Sequence, residues 1–405
     1  MLTIPPSSLG ESSSLGTRFR IVRPHAEGGL GSVYVARDTE LDREVALKEI
    51  QFDKADDPHN RSRFVREAEI TGGLEHPGIV PVYGFGAYPD GRPFYAMKFI
   101  RGNSLKEAIA RYHKPKDDEH RTATDKNLEL RRLLQRFIDV CEAIDYAHAR
   151  GVLHRDLKPG NIMLGRHGET LVVDWGLAKP LGKLPDDLEA KRTLPADRST
   201  IDISKMPEAP LVPASSKSAS EEPTQMGNTL GTPAFMSPEQ AHGRIDLLDA
   251  RSDVFSLGAT LYALLTGTVP YRGTNTVELL TKAQNADYAK PRSIAKSIPR
   301  DLEAICLKAM APAMTDRYPT AKAVADDVEH WLADEPVTAQ FDIGRTPESR
   351  HPPPPRGVFE RHGGAGVAHP GKRRSGGGDQ SSEGARKQRA GEGNGSIGQR
   401  NQRVG

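Results

Sequence analysis

Val152-Leu-His-Arg-Asp-Leu-Lys-Pro-Gly-Asn-Ile162 is the stretch on which the reading of this chain turns. Upstream of it, Leu130, Leu133, Phe137, Cys141, Ile144 and His148 recur at helical spacing and mark a long amphipathic helix. Downstream, residues 161–164 and 170–173 flank a turn containing Gly168 and predict a β-hairpin, whose exit carries Val172-Val-Asp-Trp-Gly176. Further on, helical patterning predicts segments over 253–265, 276–285, 301–310 and 321–333. On the N-terminal side the period changes. Residues 20–22, 32–36 and 45–50 read as short strands separated by Gly and Asp turns, followed by a helix near 61–74 and two more strand-like runs, 80–84 and 94–99. Five strands and one helix make a small, mostly antiparallel β lobe over 19–97, and a larger, mainly helical lobe follows over 98–335. The expected class is α+β, in two lobes.

A chain of 405 residues can hold one large domain, but a hydrophobic fraction of 36% implies that part of it builds no core. Residues 1–18 are Ser/Pro-rich and read as a flexible leader, and 113–127 as a polar insertion loop. Residues 180–228, rich in Pro, Ser and charge, read as a flexible excursion. From 336 the chain passes into a Pro run and a Gly/Arg-rich tail, either a disordered basic extension or the product of a shifted reading frame. From Thr346 onward 11 Lys/Arg face 5 Asp/Glu, a net of +6, which leaves about −4 on the remainder of a chain whose total is +2. A nearly neutral body argues against nucleic acid as the main ligand. Cys141 and Cys306 sit in apolar helical patterns and read as buried thiols, without the spacing of a zinc site or a disulfide framework. The N-terminus lacks the pattern of a signal peptide. The most apolar run, 254–265, is too short to cross a bilayer and reads as a buried helix, so a cytoplasmic protein without a membrane span is expected.

Other motifs fall into line with the central one. In Ala26-Glu-Gly-Gly-Leu-Gly-Ser-Val33, Gly28 and Gly31 would let backbone fold closely over phosphates, with Val33 against a base; taken alone, the run is equally a plain glycine turn. Fifteen residues later, Val45-Ala-Leu-Lys48 ends a strand with a lysine that needs a partner, and the following helix offers Glu67 and Glu69. Beyond the excursion stand Leu230-Gly-Thr-Pro-Ala-Phe-Met-Ser-Pro-Glu239, Arg251-Ser-Asp-Val-Phe-Ser-Leu-Gly258 and Thr315-Asp-Arg-Tyr318.

In this order and spacing, residues 19–335 resemble the Hanks-type, eukaryotic-like serine/threonine protein kinases of bacteria. The resemblance implies the two-lobed kinase fold, ATP and Mg2+ as cofactors, and protein serine or threonine hydroxyls as acceptors. It implies that Ala26, Gly28, Gly29, Gly31 and Val33 cover the nucleotide, that Ala46 lines its pocket, and that Lys48 pairs with Glu67, nine residues before His76. Met97 would back the adenine site, and the backbone of Lys98 and Ile100 would bond the base. Asp156 would orient the attacking hydroxyl, Lys158 would offset charge on the migrating group, and Asn161 and Asp174 would hold metal. Thr232 would bond near Asp156 and Lys158, Glu239 would pair with Arg317, and Asp253 would anchor the catalytic loop. His154 reads as a packed structural histidine, and Trp175 fills a slot where the family carries phenylalanine. Arg155 suggests control by a phosphate on the loop, with Thr224 and Thr229 as the best-placed acceptors and Thr193, Ser199, Thr200 and Ser204 as others. A catalytically silent nucleotide-binding scaffold is the competing reading. A small-molecule kinase fits less well, because that class lacks the Gly-Thr-Pro to Pro-Glu segment.

Overall fold

The computed structural model describes residues 18–114, 122–180, 211 and 232–343. β1 (Phe19–Glu27), β2 (Gly31–Asp38), β3 (Arg43–Ile50), β4 (Val82–Ala87) and β5 (Pro93–Lys98) form one antiparallel sheet in the order β1-β2-β3-β5-β4. Between β3 and β4 lie a single-turn helix, α1 (Phe52–Ala55), and α2 (Pro58–Gly73). Asp57 caps α2, its carboxylate accepting from the His59 amide at 2.9 Å, and Pro58 pre-sets the first turn. The buried face of α2 presents Phe64, Glu67, Ala68, Ile70 and Thr71, and Phe64 and Ala68 pack with Ile50, Ala55 and Tyr95. Burying one such aliphatic or aromatic side chain is worth about 1.5–3 kcal/mol. The single glutamate in that face is therefore a costly choice that the site must explain.

The helical lobe contains β6 (Gly102–Ser104), α3 (Leu105–His113), α4 (Ala123–Ala149), β7 (Val152–Leu153), β8 (Ile162–Gly165), β9 (Thr170–Val172) and β10 (Lys179–Pro180). From Thr232 onward come α5 (Pro238–Ala241), α6 (Ala250–Thr266), α7 (Thr276–Gln284), α8 (Pro291–Ile294), α9 (Arg300–Ala309), α10 (Ala321–Leu332) and α11 (Thr338–Ile343). β8 and β9 pair antiparallel around Gly168 at φ +98°, the expected hairpin, with β6 added on the β8 side. α6 is buried continuously from Ser252 to Thr266, as befits a helix that is apolar nearly all round. It stops at Gly267, whose left-handed φ of +72° needs no side chain. Cys141 and Cys306 are both buried free thiols, as expected.

Several boundaries depart from the pattern reading. α4 begins at Ala123, inside the stretch expected to be a polar loop, because Thr122 and Asp125 form a reciprocal capping box at 3.0 and 3.1 Å. β4 starts at Val82 rather than 80, since Ile79 and Val80 are given over to the lobe junction. Ile79 bridges Val172, the Val80 amide donates to the Val172 carbonyl at 3.3 Å, and the Val172 amide donates to the Gly78 carbonyl at 2.8 Å. The ordered body also runs past the boundary expected at 336, through α11. Its cap is tertiary. The buried Asp327 carboxylate of α10 accepts from the amides of Thr338 (2.7 Å) and Ala339 (3.0 Å), from the Thr338 hydroxyl (2.8 Å) and from the Tyr318 phenol (2.6 Å). The expected leader, most of the excursion and the basic tail lie outside the described residues.

Candidate active site

The glycine-rich turn joins β1 to β2, with Ala26 opposite Val33 and Glu27 opposite Ser32. Gly28 donates its amide to the Gly31 carbonyl at 2.9 Å and closes the turn. The three glycines differ in what they allow. A Cβ on Gly31 would come 2.7 Å from the Glu49 carbonyl oxygen and 3.3 Å from both Lys48 and Phe64, whereas one on Gly29 would meet nothing within 4 Å. Gly31 is thus dictated by packing, and Gly29 leaves the mouth of the turn open. Gly31→Ala is expected to destabilise the β lobe by about 1–3 kcal/mol through that overlap. Gly29→Ala should leave the thermal midpoint nearly unchanged, which differential scanning fluorimetry would check.

Cross-strand register carries the next residues inward. Val33 lies opposite Lys48, Lys48 opposite Tyr95, and Ala46 opposite Met97. Lys48 donates to the Glu67 carboxylate and lies 3.7 Å from an Asp174 oxygen, so one ammonium ties β3 to α2 and reaches the helical lobe. Of the two glutamates on α2, Glu67 meets the lysine. Tyr95 adds a 2.7 Å bond to the same carboxylate, a partner that the strand pattern hid and the β3–β5 register exposes. Burial works against the charge on Lys48, but Glu67, Tyr95 and Asp174 overcome it, and its pKa is pushed well up. Burial likewise opposes ionisation of Asp174, and Lys48, His154 and Lys158 reverse that and hold its carboxyl below the usual range. The buried glutamate of α2 is accounted for by this cluster.

Asp156 stands in the strand-to-hairpin loop. One of its oxygens accepts the Thr232 amide at 2.9 Å, and the other accepts Lys158 Nζ at 2.6 Å. Lys158 also donates to the Thr232 hydroxyl at 2.7 Å. Asn161 donates from its amide nitrogen to the Asp156 carbonyl at 2.9 Å, which leaves its amide oxygen for another partner. The Asn161 carbonyl takes the Val173 amide at 2.9 Å, which ties Asn161 to the residue immediately before Asp174. A carboxylate and an amide oxygen suit a hard divalent cation that takes its remaining ligands from phosphate and water. Among the described residues no three His, Cys, Asp or Glu side chains cluster as an all-protein metal site.

The loop itself is held from beneath. One Asp253 oxygen accepts the His154 amide and His148 Nε2, both at 2.8 Å, and the other accepts the Arg155 amide at 2.9 Å. Burial alone would push the Asp253 pKa up, yet His148, His154 and the Arg155 amide hold it below the ordinary value. Gln240 clamps the Arg155 carbonyl at 2.8 Å, and Arg155 adopts φ +68° between those restraints. Neither His148 nor Gln240 carried a sequence signal, since both read as ordinary helix residues. His154 is fully buried with its ring 4.6 Å from that of Trp175, which is itself 1% exposed. The tryptophan fills its apolar slot, but its indole N–H finds no acceptor among the described residues. Behind the loop, Arg317 donates two hydrogen bonds to the Glu239 carboxylate at 2.8 and 2.9 Å, a buried bidentate ion pair. Met97 and Lys98 end β5 and Ile100 follows; the Lys98 amide is engaged by the Pro81 carbonyl at 3.0 Å.

Residues 21–194 match the family model described as the protein kinase domain. Over 316 residues the chain is 32% identical to the serine/threonine-protein kinase PknD of Protochlamydia amoebophila, covering 78% of this chain and 30% of that protein. It is 30% identical over 348 residues to PknB of Mycolicibacterium smegmatis (84% and 48% covered). With PknB of Mycobacterium tuberculosis it shares 31% over 330 residues (81% and 45%). The chain therefore spans about a third to a half of the length of these relatives.

Proposed function

This chain carries a protein kinase domain of the bacterial Hanks-type serine/threonine family, and from that premise we propose that it transfers the γ-phosphate of ATP to serine and threonine hydroxyls of other proteins. The observation that carries the reading is Lys48 Nζ lying between Glu67 of α2 and Asp174 of the helical lobe, with Asp156, Lys158 and Thr232 joined beside it. Backbone around Gly28, Gly29 and Gly31 covers the triphosphate, and Lys48, fixed by Glu67, binds its oxygens. Ala26, Val33, Ala46 and Met97 enclose the base. Because the Lys98 amide is already bonded, the adenine contacts fall to the Lys98 carbonyl and the Ile100 amide. Mg2+, held by Asp174 and Asn161, would neutralise charge between the phosphates. Asp156 orients the acceptor hydroxyl and takes its proton, while Lys158 offsets charge on the transferring group. Thr232 holds the acidic and basic partners at their working separation.

Arg155 extends the reading to regulation. Its guanidinium Nε is buried and has no acceptor among the described residues, an arrangement that a phosphate on the loop following Asp174 would satisfy. The candidate acceptors Thr224, Thr229, Thr193, Ser199, Thr200 and Ser204 lie outside the described residues. Among the described residues no helix is long and apolar enough to cross a membrane, and we place the catalytic domain in the cytoplasm, where ATP is abundant.

The test is transfer of label from γ-32P-ATP with Mg2+ to a generic basic protein, followed by phosphoamino-acid analysis. Label on serine or threonine is expected, falling by roughly 100- to 1,000-fold in Lys48→Met, the usual loss for one preorganised charge contact. Equal labelling by the variant, or label confined to tyrosine, overturns the reading.

A further inference from the structure

Between Pro180 and Thr232 the described chain has one residue, Leu211, and it is seated on the body of the domain. Its amide donates to the Arg150 carbonyl at 2.9 Å, and its side chain packs against the main hydrophobic core. Arg150 is the C-terminal cap of α4, so this bond occupies a carbonyl that the helix itself cannot satisfy. The Leu211 side chain meets α2 at its last residue. A Cβ on Gly73 would fall 2.6 Å from Leu211 Cδ1 and 3.0 Å from Cδ2, so only glycine leaves the notch that the leucine fills.

The notch lies where α2 is weakest. Its final turn contains Gly72 and Gly73, each costing about 1 kcal/mol in a helix relative to alanine, so that turn depends on packing from outside. Glu67 stands on the same helix, about 9 Å away along its axis at 1.5 Å per residue. Any fraying or rotation of the last turns is passed directly to the carboxylate that bonds Lys48.

We propose that Leu211 is a positioning residue: lodged against Gly73 and bonded to Arg150, it clamps the last turn of α2 to the end of α4 and thereby holds Glu67 against Lys48. The clamp is a property of the fold, and only its effect on nucleotide use rests on the kinase reading. The residue belongs to the loop excursion of this chain, so the excursion supplies part of the support for its own catalytic lysine.

The experiment compares the full chain with Leu211→Ala and Leu211→Met by two readouts. Hydrogen exchange without nucleotide follows the amides of residues 70–74 against those of α6. In Leu211→Ala, protection at 70–74 should fall roughly tenfold with α6 unchanged, and Leu211→Met should restore most of it. In steady-state kinetics, KM for ATP should rise about three- to tenfold in Leu211→Ala with a smaller change in kcat, again rescued by methionine. Unchanged exchange at 70–74 in Leu211→Ala overturns the clamp. Altered exchange with unchanged KM overturns the positioning role. A wild-type chain that transfers no phosphate defeats the kinase reading, and the exchange comparison still decides whether the clamp exists.

Discussion

Asp156→Asn is expected to lower kcat for phosphoryl transfer by roughly 100- to 10,000-fold while leaving KM for ATP within about twofold. The carboxylate is placed by three donors, with the Thr232 amide on one oxygen and Lys158 Nζ and Asn161 Nδ2 toward the other. In the proposed mechanism Lys48 is the side chain that binds the nucleotide phosphates, and Lys48 and Asp174 are untouched by the change. An asparagine keeps the shape but cannot take a proton. It must also turn an N–H toward either the Lys158 ammonium or the Thr232 amide, so the hydroxyl-orienting geometry is lost along with the charge. Single-turnover transfer to a protein acceptor, with nucleotide affinity measured in parallel, separates the two effects. Retention of more than about a tenth of wild-type kcat would remove Asp156 from the role of base.

Arg317→Ala is expected to cost about 3–5 kcal/mol in stability, the range for breaking a buried ion pair by deleting one partner. Arg317 has no exposed side-chain surface. Its guanidinium bonds both Glu239 oxygens and the carbonyls of Ala311 (2.7 Å), Arg251 (2.9 Å) and Pro312 (3.0 Å), and it lies 4.9 Å from the Phe255 ring centroid. Truncation strands a buried carboxylate. Burial alone would push the Glu239 pKa up; Arg317 and the 2.7 Å bond from Ser252 hold it below the ordinary value. Without the arginine, Glu239 must take up a proton or break its packing. For a domain of about 300 residues the unfolding midpoint should fall by roughly 5–8 °C, read by calorimetry. A Glu239→Gln/Arg317→Met double variant should recover part of the loss, because no lone buried charge remains. An Arg317→Ala midpoint within a degree of wild type would show that the pair contributes nothing net.

How much of this was legible in advance differs residue by residue. Strand and helix existence followed from periodicity, because Val45, Ala46 and Leu47 or the long apolar run of α6 can be buried in few ways. The ends of elements did not follow. α11 exists because Asp327, on the preceding helix, caps it through space, and no local pattern around Pro336 announces that. Ile79 and Val80 have the composition of a strand, yet they serve as the seam between lobes because Val172 presents its backbone there. The chemistry-bearing side chains were legible because few residue types can do their work at those spacings. Their supports were not: Tyr95, His148 and Gln240 look like ordinary strand and helix residues, and their roles depend on which face another element happens to present.

Sequence by itself determined the two-lobed α+β architecture and the identity of the charged groups, since burial patterning and the valence of carboxylate, ammonium and amide are local properties of residues. Only the tertiary structure decided that Tyr95 shares the Glu67 carboxylate with the lysine and that His148 and Gln240 brace the catalytic loop. It also decided that Leu211 returns to the end of α2. Those outcomes depend on distances between segments far apart in the chain, and a hydrogen bond or a packed methyl group is decided within a few tenths of an ångström, a precision that periodicity does not carry.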